Sequence, residues 1–123
     1  MERVTGIGGL FFKGTDPAGL ARWYEQHLGV TGVGNSYDDP VWIQEQGPTV
    51  FAAFGPEHWD SPHLGPSGWG VNFRVTNLDA MVSQLRHAGI DVEVDPELYP
   101  NGRFASLADP EGNPVQLWQE IMR

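Results

Sequence analysis

The sequence predicts an α+β fold built from two βαβββ modules. Two observations carry that expectation. The tetrapeptide His27-Leu28-Gly29-Val30 returns as His87-Ala88-Gly89-Ile90, an offset of 60 residues from Gly29 to Gly89. Around each copy the hydrophobic spacing reads strand, helix, then three short strands. The length of 123 residues agrees. Half of it buries too little surface to be comfortable alone, and two packed halves remedy that. The first module is placed at about residues 1–55, a linker at about 56–68, and the second module at about 69–123.

The elements follow in order. Val4 to Lys13 reads as a strand rich in glycine and phenylalanine. Asp16 suits a helix N-cap, with Pro17 at the first helical position, where its missing N–H costs nothing. Leu20, Trp23, Tyr24 and Leu28 recur at helical spacing, and Gly29 closes the helix. Extended stretches are expected around Thr31 to Asn35, Val41 to Glu45 and Thr49 to Phe54, the last two joined as a hairpin at Gly47-Pro48. In the second half Gly70 to Val75 is a strand, with Val71, Phe73 and Val75 alternating with Asn72 and Arg74. Thr76-Asn77-Leu78-Asp79 resembles a capping box, with Thr76 as the cap. Leu78, Met81, Val82, Leu85 and Ala88 form the stripe of a second helix, ended by Gly89. Strands near Asp91 to Val94, Arg103 to Ala108 and Pro114 to Gln119 follow, the last two joined by the turn Asp109-Pro110-Glu111-Gly112-Asn113.

Composition excludes several functions. Sixteen acidic residues face seven basic ones, for a net charge of −9. Nucleic acids and anionic membranes need clustered lysine and arginine, so neither is an expected partner. With no cysteine, disulfides, thiolate nucleophiles and cysteine metal sites are ruled out. No apolar run approaches the ~18 residues of a membrane span, and the N-terminal stretch lacks the apolar core of a signal peptide. A cytoplasmic location is expected.

Three segments carry a family resemblance: DPAGLARWYEQHLGV (Asp16 to Val30), VNFRVTNLDAMVSQLRHAGI (Val71 to Ile90) and GRFASLADPEGNPVQLWQ (Gly102 to Gln119). With the paired modules they resemble the vicinal oxygen chelate superfamily, which holds glyoxalase I, bleomycin-resistance proteins, fosfomycin-resistance enzymes and extradiol dioxygenases. The resemblance implies a curved mixed sheet around a cavity, with the helices on its outer face. It also implies a homodimer, to which the surplus of apolar and aromatic residues such as Trp42, Phe54 and Trp69 adds weight.

Metal-dependent members supply His, Gln or Glu ligands from equivalent strands of the two modules. Here the matching positions fall at Gly8 or Gly9, within Val50 to Ala53, at Gly70 or Asn72, and at Gln116. Only the amides of Asn72 and Gln116 offer donor atoms, and neutral amides hold a divalent cation poorly. No metal or other cofactor is therefore expected.

Strand alternation supplies the candidate site. If Val71, Phe73 and Val75 face the helix, Asn72 and Arg74 face the concave side. The same reasoning pairs Val115 with Leu117 and leaves Gln116 and Trp118 on the concave side. Arg74 and Gln116 are expected to recognise a polar or anionic group, with Trp118 stacked on a planar part. Trp59 in the linker is a further ligand-contact candidate, as a lid residue; His58 and His63 beside it lack a fixed geometry for zinc. His27 and His87 read as helix C-terminal residues favoured by the dipole. Glu45 and Tyr37 are acids within reach of the cavity, but nothing sets a proton donor beside a nucleophile, so no catalytic residue emerges.

Two functional readings remain open. One is a metal-free small-molecule-binding protein of the bleomycin-resistance type, to which five tryptophans lend flat stacking surface. The other is a metal-dependent lyase or isomerase of the glyoxalase type, with Gln116 as one ligand and linker histidines or a partner chain supplying the rest.

Overall fold

A computed structural model describes residues 1–32 and 37–121. Its elements are helix α1 (Pro17–Leu28), strand β1 (Val71–Arg74), helix α2 (Leu78–His87), and strands β2 (Glu93–Val94), β3 (Gly102–Ala108) and β4 (Pro114–Glu120). A short 3-10 turn at Pro56–His58 interrupts the linker. The strands form one mixed sheet in the order β1-β4-β3-β2. β1 runs parallel to β4, whereas β3 is antiparallel to both β4 and β2.

Local chemistry sets the helix ends. Asp16 accepts the Gly19 N–H at 3.1 Å, Pro17 fills the first helical position, and Gly29 stops α1 in the left-handed region at φ 72°. The start of α2 departs from expectation. Asn77, not Thr76, is the cap, and its Oδ1 accepts the Ala80 N–H at 3.0 Å. Asp79 does not answer as a capping partner; it pairs with Arg103 at 2.9 Å. Burial decides this register, because Leu78 is wholly buried and its N–H donates to Gln119 Oε1 at 2.7 Å. Gly89 follows α2 at φ 81°.

Both helices cover one face of the sheet. The core joins Leu20 and Tyr24 of α1, Leu78, Val82 and Leu85 of α2, Ala105 and Leu107 of β3, and Val115 and Leu117 of β4. Val71, Phe73 and Val75 pack against it, as the alternation predicts. The turn after β3 ties α1 to the sheet. Buried Asp109 accepts the Tyr24 hydroxyl at 2.7 Å and the N–H groups of Glu111 and Asn113, and Glu111 accepts the Thr15 and Asp16 N–H groups at the head of α1.

The first half differs from the expected module. It forms its helix, but residues 4–13, 41–45 and 49–54 enter no ladder among the described residues, and the expected stretch at 31–35 lies mostly outside them. No hairpin forms at Gly47-Pro48. The physical reason is the lack of a neighbour. Strands are stabilised by a partner's N–H and C=O groups, a lone two-stranded hairpin is marginal, and the glycines near Gly8 weaken pairing further. Large side chains there stand exposed, Phe11 at 94%, Ile43 at 82% and Phe51 at 91%. Two reach inward: Phe12 sets its edge against Tyr24, and Trp42 against Phe73.

Candidate ligand-binding site

The sheet face opposite the helices carries two cross-strand rows. Register aligns Asn72 of β1, Gln116 of β4, Ser106 of β3 and Glu93 of β2 in the first. The second aligns Arg74, Trp118 and Phe104, and the Asp95 N–H extends it by donating to the Phe104 carbonyl. Four of the residues chosen from sequence alternation, Asn72, Arg74, Gln116 and Trp118, are thus brought together as two adjacent pairs.

The first row is a directed hydrogen-bond relay. Asn72 Nδ2 donates to Gln116 Oε1 at 2.7 Å, and Gln116 Nε2 faces His63 Nε2 at 3.5 Å. His63 reaches the strands because the linker folds back on β1. Its carbonyl occupies the space a Cβ at residue 70 would need, so only glycine fits there.

The second row is aromatic. Trp118 and Phe104 lie 5° from parallel with ring centres 6.3 Å apart, and Tyr99 sets an edge against Phe104 at 5.6 Å. Trp118 is only 6% exposed, and its indole N–H donates to the Asn101 carbonyl at 2.8 Å. Gly102, at φ 140°, leaves room for that ring; a Cβ there would collide with the Gln119 carbonyl and stand 2.6 Å from the indole nitrogen. At the far end Tyr99 donates to Asp95 Oδ2 at 2.8 Å. The Glu97 N–H, then the Tyr99 hydroxyl, hold the Asp95 carboxyl below its usual range, and the Tyr99–Asp95 bond raises Tyr99.

Arg74 closes the other end by gripping the first half of the chain. Its Nη2 donates to the Glu45 carbonyl at 2.8 Å, and its Nη1 donates to the Pro48 carbonyl. The guanidinium therefore fastens the segment at Gly47-Pro48 to β1. Trp59 is not part of either row. It is 67% exposed, and its indole N–H donates to the Phe54 carbonyl at 2.9 Å. Tyr37 is fully exposed. His27 packs beside Trp23 at the end of α1, and His87 lines a shallow hollow on the helix side of the sheet, between α2 and β2.

The donor set does not fit a divalent metal. It combines one imidazole with two amides already bonded to each other, and among the described residues no three His, Asp or Glu side chains converge. The face instead sets neutral hydrogen-bonding groups beside a flat aromatic strip. Sequence reasoning missed Phe104 and Ser106, although alternation along β3 with Ala105 and Leu107 was available to find them. It singled out His63 without placing it, because linker folding has no periodic signal.

Comparison with known proteins agrees with the fold. Two curated relatives are the anthracycline biosynthesis proteins DnrV of Streptomyces peucetius, 36% identical over 108 residues, and DauV of Streptomyces sp. strain C5, 33% identical over 107 residues. Each match covers 80% of this chain and 36% of the relative, so the chain spans about a third of their length. Among solved structures, the antibiotic-binding protein TnmS3 of Streptomyces sp. CB03234 shares the fold at a TM-score of 0.55 and 18% identity, covering 87% of this chain and 88% of that one. A glyoxalase family protein of Bacillus anthracis does so at 0.53 and 12% identity, covering 92% and 99%. The model of the glyoxalase-like domain matches residues 9–118, nearly the whole chain, and with its mixed sheet and paired helices this protein belongs to the glyoxalase-like domain family.

Proposed function

We infer that the chain binds a small planar aromatic molecule on the concave face of its sheet, without a metal ion, and that it works as a homodimer. The carrying observation is the bonded Asn72–Gln116 amide pair beside the parallel Trp118 and Phe104 rings. Amides supply directional neutral contacts, and half-buried Phe104, backed by buried Trp118, offers an aromatic surface for a planar ligand. Arg74 holds the lip of the site through Glu45 and Pro48. Relatives named for anthracycline biosynthesis support a polycyclic aromatic ligand. In the dimer, the exposed first-half stretches find sheet partners, and the two-module architecture is completed around the cavity.

The test is a titration with an anthracycline aglycone, followed by tryptophan fluorescence. Saturable quenching at about one ligand per chain supports the reading. Gln116→Ala should weaken binding by about tenfold, the worth of roughly one to one and a half kcal/mol. Absence of quenching in the wild type at high micromolar ligand refutes it.

The metal-dependent lyase or isomerase reading retains one observation in its favour, the imidazole of His63 at 3.5 Å from Gln116. Elemental analysis decides it. About one zinc, nickel or iron per chain, lost on Gln116→Ala, would establish that reading over ours.

A further inference from the structure

We propose that His63 donates a hydrogen bond to an oxygen of the bound molecule, and that the site admits uncharged planar arenes while rejecting anionic ones. This rests on the ligand-binding reading above and narrows its ligand class.

The relay fixes the direction. Asn72 donates to Gln116 Oε1, which leaves the Gln116 amide nitrogen, a donor, facing His63 Nε2 at 3.5 Å. A donor requires an acceptor opposite, so the tautomer that fits this contact carries its hydrogen on Nδ1. Nδ1–H is then the donor at the end of the chain, matched to a carbonyl or phenol oxygen. The ring is held for that task from its own backbone, because the His63 carbonyl is seated against Gly70 at the head of β1.

Charge sets the selectivity. The guanidinium on this face, Arg74, donates through both terminal nitrogens to the carbonyls of Glu45 and Pro48. The expectation that its fork meets an anionic ligand therefore gives way. The first row ends at Glu93, and Asp95 beside Phe104 stays ionised well into the acid range. The whole chain carries a net charge of −9. An anion on this face meets carboxylates at short range and an unfavourable field at long range. A neutral arene is spared both penalties.

The intact protein is titrated at neutral pH with 1,8-dihydroxyanthraquinone and, separately, with anthraquinone-2-sulfonate, following tryptophan fluorescence. The uncharged probe should bind at least about tenfold more tightly. His63→Ala should weaken it by about five- to tenfold with an unchanged thermal midpoint, and His63→Gln, which retains a donor, should recover most of the loss. Equal or tighter binding of the sulfonate overturns the charge selectivity while leaving the binding function intact. Wild-type affinity in His63→Ala, or no recovery in His63→Gln, overturns the role of His63. Failure of both probes to bind defeats the proposed function itself, and this inference with it.

Discussion

Tyr24 and Asp109 show how one polar pair fastens two distant parts of the chain. The phenol donates to a carboxylate that is 4% exposed and that also accepts two backbone N–H groups and the Asn113 side chain. Tyr24→Phe removes one of these bonds and leaves the carboxylate under-satisfied, so it should cost about 1–2 kcal/mol in urea denaturation. The same pair predicts an alkaline limit. Burial first, then the hydrogen bond and charge of Asp109, push the Tyr24 hydroxyl far above the ordinary tyrosine range. A folded-state value above the unfolded one means full stabilisation below about pH 10, lost as pH rises toward the folded value. Urea midpoints measured from pH 8 upward should fall above about pH 10, and Tyr24→Phe should flatten that fall; identical profiles for the two proteins would contradict it. At the acid end the sign reverses. Asp95 is held low by the Glu97 N–H and the Tyr99 hydroxyl, so its contribution is present above the unfolded value and disappears as pH falls through the folded one. A carboxyl titration by NMR should place Asp95 below the usual aspartate range.

At the scale of elements, the turn Asp109 to Asn113 acts as a clamp. Its Glu111 carboxylate accepts the N–H groups of Thr15 and Asp16, at 2.6 and 2.8 Å, just ahead of α1. These donors lie at the positive end of the helix dipole, which favours a carboxylate. Glu111→Ala should therefore destabilise the fold by about 1 kcal/mol and loosen α1 before the sheet. Hydrogen exchange resolves the two: faster exchange confined to Pro17–Leu28 supports the clamp, and uniform change refutes it. The start of β3 is stricter. Gly102→Ala places a methyl against the Gln119 carbonyl and the Trp118 indole at a φ that L-residues rarely adopt. The loss should exceed ~1 kcal/mol, and the near-ultraviolet signal of Trp118 should change with it.

For the whole molecule, surface area is the telling quantity. The chain exposes 9840 Å² at a mass of 13.6 kDa. A compact monomer of that mass exposes about 6,500 Å². The excess, about 3,300 Å² per chain, amounts to about 6,600 Å² over a pair, at the large end of obligate subunit interfaces, which run from roughly 2,000 to beyond 5,000 Å² in total. Much of it belongs to first-half residues such as Val4, Phe11, Ile43 and Phe51. Light scattering at micromolar concentration should return about twice the monomer mass, and Phe51→Asp should shift the population toward monomer. A wild-type mass near 13.6 kDa would dispose of the dimer.

What the sequence determined by itself is whatever short-range periodicity encodes. Alternation placed Asn72 with Arg74 and Gln116 with Trp118 on one face, because a strand turns successive side chains to opposite sides whatever its neighbours do. Caps placed the ends of α1, and the turn Asp109 to Asn113 was legible between the last two strands. The cap of α2 moved from Thr76 to Asn77 because the burial of Leu78, a tertiary demand, outweighs a local motif that fits two registers. Only the tertiary structure decided that Arg74 grips the Glu45 and Pro48 carbonyls, that the linker lays His63 beside Gln116, and that the first-half stretches lack ladder partners in a single chain. Those outcomes depend on which distant backbone groups come within about 3 Å of one another. Residues 26 to 53 positions apart in the chain, as Arg74 and Pro48 or Gln116 and His63 are, leave no periodic trace of such meetings.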